Sequence, residues 1–352
     1  MNIMFVMEPR GEAGSIQAVS NYVKEARKLG HTLAVYGNHG HLYPGVPLST
    51  DCAAFDRVFF VFESNLLWMT NLRLVPFLAR VPRAKRIVLD ADGLYNDLVT
   101  VDGYDRNHPS KESLAQWRCF LEELSDRIFQ PALGVPRNPL AEALPFYGYP
   151  PGQVARTGAP ENKRYDVIYV GHNWWRWRDI GRLVLPAIEK IRSRLGRIAF
   201  VGLYWEGPPP GTRGTEVEQA FFVDSNELSR LGIEVMAPVP FNQVIDTMSQ
   251  SRISIMIQRP LLRLLGHLTS KYFEVFCADT VPLLLLDEAH AGEVYGPFGR
   301  ELVFSDRLHE RILDVLATPE KYDRIVREIR NHLTRCHSYR NRLEELVRAL
   351  DY

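Results

Sequence analysis

Two sets of strand-length apolar runs, each alternating with helix-length patterns, constrain the fold of this 352-residue chain more than any other feature. Strands separated by helices form parallel sheets that are buried on both faces, which explains why the runs are continuously apolar. Ligands bind such sheets at the carboxyl ends of the strands. We therefore predict an α/β protein with two Rossmann-like, doubly wound domains that face a cleft, followed by a helical C-terminal tail. The predicted strands lie at 2–7, 32–37, 57–63, 86–92, 127–132, 165–171, 197–205, 233–239 and 252–260.

A segment dense in proline, glycine and polar residues, 134–164, separates the two sets of patterns. Such composition is typical of loops and linkers, so we place the domain boundary near its end, with domains at 1–160 and 161–335. The closing segment 336–352 shows an amphipathic helical pattern, and we expect its apolar face to pack back on the N-terminal domain. Helices are predicted at 16–29, 66–80, 111–124, 179–195, 241–250, 306–317, 319–335 and 338–350.

Charge and cysteine content exclude several classes of protein. The 42 basic residues balance the 42 acidic residues, so no global charge attracts the chain to nucleic acid or to an anionic membrane. The four cysteines are scattered without metal-binding spacing, which favours a reducing, cytoplasmic location and disfavours a zinc site. No apolar run is long enough for a membrane span, and the first residues form a predicted strand rather than a signal peptide.

The stretch 268–286 contains the strongest candidate for a binding site. Its pattern predicts about three turns of helix followed by a strand from Val281 to Leu286. Thr269 or Ser270 is a candidate N-cap, and with Lys271 the helix start would form an anion site. Glu274 lies one turn further on the same face, at a position suited to a pair of ribose hydroxyls. The alternative is a solvated Lys271–Glu274 pair on an ordinary exposed helix.

Several segments in fixed order resemble the C-terminal half of the GT-B glycosyltransferases, specifically the CgeB-like, group 1 branch. The likeness covers about residues 165–350. Two departures are a lysine where the branch more often has arginine, and a turn at 277–280 that lacks the usual glycines. The segments are the strand and loop ending in Gly171, His172 and Asn173, the strand and loop at 235–241, the motif with Lys271, Phe273 and Glu274, and the closing His337, Tyr339 and Arg342.

The resemblance implies an N-terminal acceptor domain and a C-terminal domain that binds a nucleotide-sugar donor. Glu274 would accept hydrogen bonds from the ribose hydroxyls, and the start of its helix would hold the diphosphate. The loop after 239 would hold the base. The donor-binding residues that we expect are Gly14, Gly171, His172, Asn173, Arg178, Val239, Pro240, Phe241, Arg259, Thr269, Ser270, Lys271 and Glu274.

Candidate catalytic carboxylates follow the strands of the N-terminal domain. Asp92 is the first candidate for a base that deprotonates the acceptor, the alternative being an aspartate that forms the turn before Gly93. Asp90 faces the other side of the strand, so a structural role is favoured over a catalytic one. Glu12 is another candidate base, in the first loop, although glutamates in loops are usually only solvated. No G-x-G-x-x-G motif occurs in the first loop.

The tryptophan- and arginine-rich segment 173–179 would either stack on a sugar, with Arg176 or Arg178 on a phosphate, or pack its tryptophans beneath a helix start and leave its arginines solvated. Arg259 would either reach the cleft or remain exposed before Pro260. The histidines of 39–41 have no third ligand at a recognisable spacing, so we expect no metal site there.

The resemblance implies a metal-independent hexosyltransferase type of enzyme that moves a sugar from a nucleotide diphosphate donor to a small-molecule acceptor, with UDP preferred because it is the commonest donor nucleotide in this fold. No cofactor is expected beyond this nucleotide-sugar co-substrate, because helix N-termini and cations can stabilise a diphosphate leaving group. The alternatives are a nucleotide-sugar 2-epimerase or hydrolase on the same fold, and a catalytically silent GT-B binding protein. We expect no nucleic-acid partner.

Overall fold

The computed structural model describes residues 1–7, 13–37, 45–63, 80–106, 110–155, 163–215 and 217–351. The candidate base Glu12, the histidines of 39–41 and almost all of the helix predicted over 66–80 lie outside these ranges. Among the described helices, none combines the length and the apolar character that a membrane span requires.

The N-terminal half forms a parallel seven-stranded sheet in the order β3-β2-β1-β4-β5-β8-β9, and β6 and β7 form a separate antiparallel ribbon. The central strands are buried along almost their whole length, as expected for a sheet covered on both faces. The strands are β1 Asn2–Val6, β2 Thr32–Tyr36, β3 Leu48–Ser49, β4 Arg57–Phe62, β5 Arg86–Asp90, β6 Thr100–Val101, β7 Asp105–Arg106, β8 Ile128–Gln130 and β9 Glu142–Ala143.

The C-terminal half forms a second parallel sheet, with the order β12-β11-β10-β13-β14. In each sheet the chain starts at a middle strand, fills one side, and then crosses to the other side, so each sheet has a switch point next to its first strand. The doubly wound α/β architecture is therefore confirmed for both halves. The strands are β10 Tyr165–Val170, β11 Ile198–Val201, β12 Ile233–Met236, β13 Ser251–Ile257 and β14 Val281–Leu285.

Helices cover both sheets, and local hydrogen bonds at the helix ends explain where two of them begin or end. Helix α1 ends because Gly30 adopts a left-handed conformation and donates its N–H to the carbonyl of Ala26. Helix α2 begins at the Ser110 side chain, which accepts the N–H of Ser113. The α-helices are α1 Gly14–Leu29, α2 Lys111–Leu124, α3 Trp177–Asp179, α4 Leu185–Ile191, α5 Ser225–Arg230, α6 Val244–Ser249, α7 Pro260–Leu264, α8 Lys271–Glu274, α9 Glu288–Tyr295, α10 Leu308–Ala317, α11 Pro319–Cys336 and α12 Tyr339–Leu350.

Short 3-10 and π-helical turns connect several of these elements. A π-helical turn, Ile180–Val184, joins α3 to α4, so the helix predicted over 179–195 is continuous but irregular. The 3-10 helices are Cys52–Ala54, Arg83–Lys85, Pro151–Gln153, Arg192–Arg194, Glu218–Phe221, Phe241–Gln243 and Pro297–Leu302.

The last helix, α12, lies against the first domain. The ring of Tyr339 contacts that of Tyr22 in α1, with centroids 5.5 Å apart. At the end of α12 the carbonyl of Leu350 accepts the Arg57 guanidinium at 3.1 Å. The chain therefore crosses between the two halves at two places, in the segment after β9 and again before α12.

The helix predicted in 268–286 is shorter than expected, and it starts without a side-chain cap. Ser270 stands at the N-cap position, but it has helical dihedral angles and its hydroxyl makes no capping hydrogen bond. The N–H groups of Cys277 and Ala278 both donate to the carbonyl of Glu274, which replaces regular helix with turns. The expected three turns and the expected cap are thus wrong, whereas the order of helix and strand is right.

Candidate active site in the interdomain cleft

A cavity of about 1020 Å³ lies at the carboxyl ends of both sheets. Its N-terminal wall comes from the start of α1, the ends of β4 and β5, the ribbon and α2. Its C-terminal wall comes from the loops after β10, β11, β12 and β13 and from α8. The cavity is at the upper end of the volume range for small-molecule sites, roughly 300–1000 Å³. It is the structural counterpart of the cleft that the sequence predicts.

Lys271 and Glu274 lie together in this cavity. Their side chains form an ion pair with 3.3 Å between Nζ and Oε2, and the Glu274 side chain is only 8% exposed. Within the described residues, the second carboxylate oxygen, Oε1, is buried without a hydrogen-bond partner. The alternative of a solvated surface pair is therefore wrong for Glu274. A buried, unsatisfied acceptor of this kind costs about 1–3 kcal/mol, which a ligand hydroxyl would recover.

His172 follows β10 and contributes a neutral ring to the cavity. Its Nδ1 accepts the N–H of Leu203 at 3.0 Å, so in the neutral ring the proton resides on Nε2. Solvent reaches the ring through the cavity, but the protein around it, Arg176 and Lys271 lower the pKa of His172 to about 4. At neutral pH the side chain is therefore an uncharged hydrogen-bond donor.

Arg176, rather than the expected Arg178, is the arginine of its segment that lines the cavity. Its guanidinium donates to the carbonyls of Ile257, His172 and Trp174, each at 3.1 Å, which fixes it between β10 and β13. Arg178 lies outside the cavity, 46% exposed, and donates to the carbonyl of Asp102. The placement of Arg178 in the donor site is therefore corrected.

Two other expected donor residues do not line the cavity. Asn173 is fully buried and donates from its amide to the carbonyls of Tyr204 and Phe222, at 3.3 and 2.8 Å. Pro240 lies between two lining residues without lining the cavity itself. The expected donor residues that do line it are Gly14, Gly171, His172, Val239, Phe241, Arg259, Thr269, Ser270, Lys271 and Glu274.

Of the two described candidate carboxylates after β5, Asp92 lines the cavity and Asp90 does not. Asp90 is fully buried and accepts the N–H groups of Leu94 and Tyr95 and the amide of Gln130, at 2.7, 2.8 and 3.0 Å. Burial raises the pKa of Asp90, and these hydrogen bonds oppose that shift. Asp90 thus stabilises the loop that carries Asp92. The expectation that Asp90 is a catalytic candidate is therefore wrong.

Glu63, at the end of β4, is a cavity residue that sequence reasoning did not single out. Its carboxylate accepts the N–H of Ser15 at 3.3 Å, the Ser15 hydroxyl, and the Tyr147 hydroxyl at 3.4 Å. Burial raises the pKa of Tyr147, and the charges of Glu63 and Asp92 raise it further, so both carboxylates lie close to this phenol. The position of Glu63 at a strand end was the signal that could have identified it.

The start of α1 closely approaches the start of α8. A Cβ atom on Gly14 would lie 2.7 Å from Oγ of Ser270 and 3.7 Å from the Tyr147 ring. Only a residue without a side chain fits this contact without a shift of the neighbours. Gly14 therefore sets how closely the two domains meet beside the candidate diphosphate site.

Replacing Gly14 with alanine is expected to lower the apparent free energy of unfolding by about 1–2 kcal/mol. Overpacking at such contacts costs about 1–3 kcal/mol, and the better helix propensity of alanine returns up to about 1 kcal/mol. The measurement is urea unfolding of Gly14→Ala, of Ser270→Gly and of the double variant. The double variant should regain the lost stability, because the clashing side chain is removed.

Gly152→Ala is the matched control, since a Cβ atom at Gly152 meets nothing within 4 Å. Equal losses for Gly14→Ala and Gly152→Ala, or a double variant no better than Gly14→Ala alone, would contradict the close contact.

Arg259 reaches the cavity but is already paired with a residue of the other domain. Its Nε donates to Asp105 in β7 at 2.8 Å, and Nη2 donates to the carbonyl of Arg106 at 2.7 Å. The second oxygen of Asp105 accepts the N–H of Leu261 at 2.7 Å. Both charges are buried, with side-chain exposures of 8% for Arg259 and 0% for Asp105. The expectation of an exposed arginine before Pro260 is wrong, and the ion pair fixes the ribbon to the C-terminal domain.

Among the described residues, no group of three or more histidine, cysteine, aspartate or glutamate side chains has an arrangement that would hold a metal ion. The described cations that line the cavity are Arg106, Arg176, Arg259 and Lys271.

Comparison with known proteins agrees with this geometry. Residues 182–348, nearly half of the chain and most of its C-terminal domain, match the family described as glycosyl transferase-like. No curated protein sequence matches the chain.

Solved structures of low sequence identity share the fold over the full length of both chains. The phage T4 BGT structure with its UDP-glucose substrate has a TM-score of 0.63 and 15% identity, with 100% of each chain covered. The structure of the same T4 enzyme with UDP and Mn²⁺ has a TM-score of 0.59 at 14% identity, again over 100% of each chain. An alpha-glucosyltransferase in complex with UDP and a 13-mer DNA has a TM-score of 0.62 at 12% identity and the same coverage.

The whole chain therefore shares the fold of the GT-B glycosyltransferases, and residues 182–348 match a glycosyl transferase-like family. The resemblance recognised in the sequence is thus confirmed at the level of the class. Membership of the CgeB-like branch stays a prediction.

Proposed function

We propose that this protein transfers a sugar from a UDP-sugar to a hydroxyl group of a small-molecule acceptor, without a metal ion. The observation that carries the proposal is the buried Oε1 atom of Glu274, which has no partner among the described residues and belongs to a cavity-lining carboxylate. A ribose hydroxyl satisfies such an atom, and Lys271, 3.3 Å from the other oxygen, supplies a positive charge for a phosphate.

UDP is the proposed nucleotide because the T4 enzyme of the same fold binds UDP-glucose as its substrate. The base would lie at Val239 and Phe241, which line the cavity beyond β12. The diphosphate would lie between Lys271 and the loop after β10, where the neutral His172 offers the N–H of Nε2. In this arrangement the chain itself supplies donors and positive charge to the leaving diphosphate.

The acceptor is proposed to be a small molecule rather than DNA. An alpha-glucosyltransferase with a related fold is in complex with a 13-mer DNA, so the comparison alone does not decide between a small-molecule acceptor and a DNA acceptor. DNA binding relies on lysine and arginine contacts to many phosphates, and a protein specialised for it usually carries a clear basic excess. This chain has equal numbers of acidic and basic residues, 42 each, and a net charge of +0.

The donor site is tested by titrating UDP, GDP, TDP and ADP against the wild type, Glu274→Gln and Glu293→Gln. UDP should bind most tightly to the wild type. Glu274→Gln should weaken UDP binding about tenfold to a hundredfold, because a hydrogen bond to a charged group contributes about 1.5–3 kcal/mol. Glu293, with a side chain 66% exposed in α9, is the matched control and should change nothing.

The reaction class is tested by UDP release from UDP-glucose with and without acceptors, in EDTA and in Mn²⁺. Release that depends on an acceptor and persists in EDTA supports a metal-independent transferase. Equal release without any acceptor would favour the hydrolase reading, and transfer only to a DNA duplex with a hydroxymethylated base would overturn the small-molecule acceptor. Failure of all four nucleotides to bind would overturn the donor site itself.

A further inference from the structure

An aromatic wall, defined here as Trp174, Trp175, Tyr204 and Phe221, forms one side of the cavity. The ring of Phe221 contacts Trp174 edge to face, with centroids 4.8 Å apart, and contacts Tyr204 in the same way at 4.5 Å. Tyr104, in the turn of the ribbon, packs edge to face on Trp175 at 5.1 Å. The aromatic wall thus extends from the loop after β11 to the ribbon of the N-terminal domain.

The backbone holds two residues of the aromatic wall in an unusual conformation. Trp175 and Tyr204 have φ angles of +57° and +69°, in the left-handed region that large side chains rarely adopt. The N–H of Trp175 donates to Ala220 at 2.8 Å, and the buried Asn173 amide donates to the carbonyl of Tyr204 at 3.3 Å. Strained backbone held by specific hydrogen bonds is typical of functional sites. The rings are therefore preorganised.

The charged side chains around the aromatic wall are already paired within the protein. Arg259, whose guanidinium lies 6.0 Å from the centre of the Trp174 ring, is bound to Asp105. Arg176 donates to three backbone carbonyls, and Asn173 donates to two. Nε1 of Trp175, the Tyr104 hydroxyl and Oδ1 of Asn173 have no partner among the described residues, but all three atoms are buried. Trp175 and Phe221 are themselves buried, so the accessible apolar area of the wall comes from Trp174 and Tyr204. On such a surface a ring compound with a single hydroxyl leaves fewer polar groups without hydrogen bonds than a saccharide does.

Apolar residues extend this surface inside the same cavity. Val217 lines the cavity and is 41% exposed, and Leu262 and Trp117 line it from the C-terminal and N-terminal domains. A predominantly apolar lining is typical of small-molecule sites and suits an apolar part of a ligand. The cavity volume of about 1020 Å³ leaves room for a second molecule beside a donor.

We propose that the aromatic wall is the acceptor subsite and that the acceptor is a flat, apolar ring compound with a hydroxyl group, of the phenol type. This inference rests on the proposed function and names the acceptor class of that site. The acceptor ring stacks on Trp174, and its hydroxyl is directed to Asp92, which lines the opposite wall. In the net reaction the acceptor oxygen bonds to the anomeric carbon, the bond from that carbon to the UDP oxygen breaks, and the acceptor proton passes to the Asp92 carboxylate.

The test compares the wild type with Trp174→Ala, Trp174→Phe and Phe222→Ala. Phe222 is the matched control, because it adjoins the aromatic wall in sequence, is 56% exposed and does not line the cavity. Acceptors are 4-methylumbelliferone and 4-nitrophenol against glucose and maltose, with UDP-glucose as donor. UDP affinity and thermal stability are measured for each variant.

The expected result is transfer to the phenols and not to the sugars. Trp174→Ala should raise the KM for the phenol about tenfold, whereas Trp174→Phe and Phe222→Ala should remain within about twofold of the wild type. The UDP dissociation constant should not change in any of these folded variants. Because Trp174→Phe keeps an aromatic ring, it separates loss of stacking from loss of folding.

Three results would overturn the inference. Weaker UDP binding by Trp174→Ala would assign the aromatic wall to the donor, and preferred transfer to glucose or maltose would assign it to a saccharide. UDP binding without transfer to any phenol would also reject it while leaving the donor site intact. Failure of the wild type to bind UDP would instead reject the proposed function, and the acceptor subsite with it.

Discussion

Replacing Asp105 with asparagine is expected to lower the apparent free energy of unfolding by about 3–5 kcal/mol. Asp105 is fully buried, and its two oxygens accept Arg259 and the N–H of Leu261. Asparagine keeps the shape but removes the negative charge, so the guanidinium of Arg259 remains buried without a counter-charge. Such an uncompensated charge is far more destabilising than the loss of the attraction itself.

Urea unfolding of Asp105→Asn and of Asp126→Asn tests this expectation. Asp126 pairs with Arg83 at a similar distance, 2.7 Å, but both side chains are largely solvated, at 69% and 43% exposure. Its replacement should change the unfolding midpoint far less, because exposed ion pairs contribute little. Similar midpoints for the two variants would contradict the buried pair between the domains.

A second comparison separates the charge from the packing. Asp105→Leu combined with Arg259→Met removes both charges and keeps apolar volume, and such replacements are often neutral. The double variant should therefore be more stable than Asp105→Asn. If instead it is less stable, the hydrogen bonds to Leu261 and Arg106 carry more of the stability than the charge does.

Replacing Asp92 with asparagine is expected to reduce the turnover number for sugar transfer by about 10²–10⁴-fold, while UDP binding stays unchanged. In the proposed function Asp92 takes the proton from the acceptor hydroxyl, and an amide cannot do so. The same proposal assigns donor binding to Lys271 and Glu274 in the other domain, so the UDP dissociation constant should not respond. The measurement is kcat for transfer at saturating donor and acceptor, together with the UDP dissociation constant.

Glu63→Gln is the informative control for Asp92. Glu63 lines the same wall, but its carboxylate accepts the Ser15 N–H and hydroxyl and the Tyr147 hydroxyl. It is better placed to fix the start of α1 than to accept a proton, so Glu63→Gln should affect stability more than kcat. A larger fall in kcat for Glu63→Gln than for Asp92→Asn would transfer the role of base to Glu63.

The sequence predicted the sheets well because strands buried on both faces must be apolar along their whole length. Strands β1, β4, β5, β10 and β13 coincide with the predicted runs to within a few residues. The rule that ligands bind at strand ends placed the loops of Asp92 and Gly171 in the cleft, where the structure also has them. Lys271 and Glu274 followed from local spacing on one short helix.

Contacts between distant residues account for most of what the sequence did not predict. The Arg259–Asp105 pair joins residues 154 positions apart, and no local pattern connects them. Arg176 and Arg178 were both candidates for the phosphate, and the assignment of Arg178 to the donor site was wrong because no local pattern separates two arginines two positions apart. Asp90 and Asn173 were wrongly placed among the site residues for a shared reason. Each side chain is buried and forms hydrogen bonds with loops that come together only in the folded protein.

The position of α12 also has a consequence for synthesis of the chain. This helix follows both sheets in the sequence, yet Tyr339 packs on Tyr22, and the carbonyls of Ala349 and Leu350 accept Arg127 and Arg57 of the first domain. A nascent chain therefore presents the surface of α1 around Tyr22 before α12 is available to cover it. The N-terminal domain is expected to reach its native stability only after residues 339–350 have been synthesised, in contrast to the usual order in which N-terminal domains fold first.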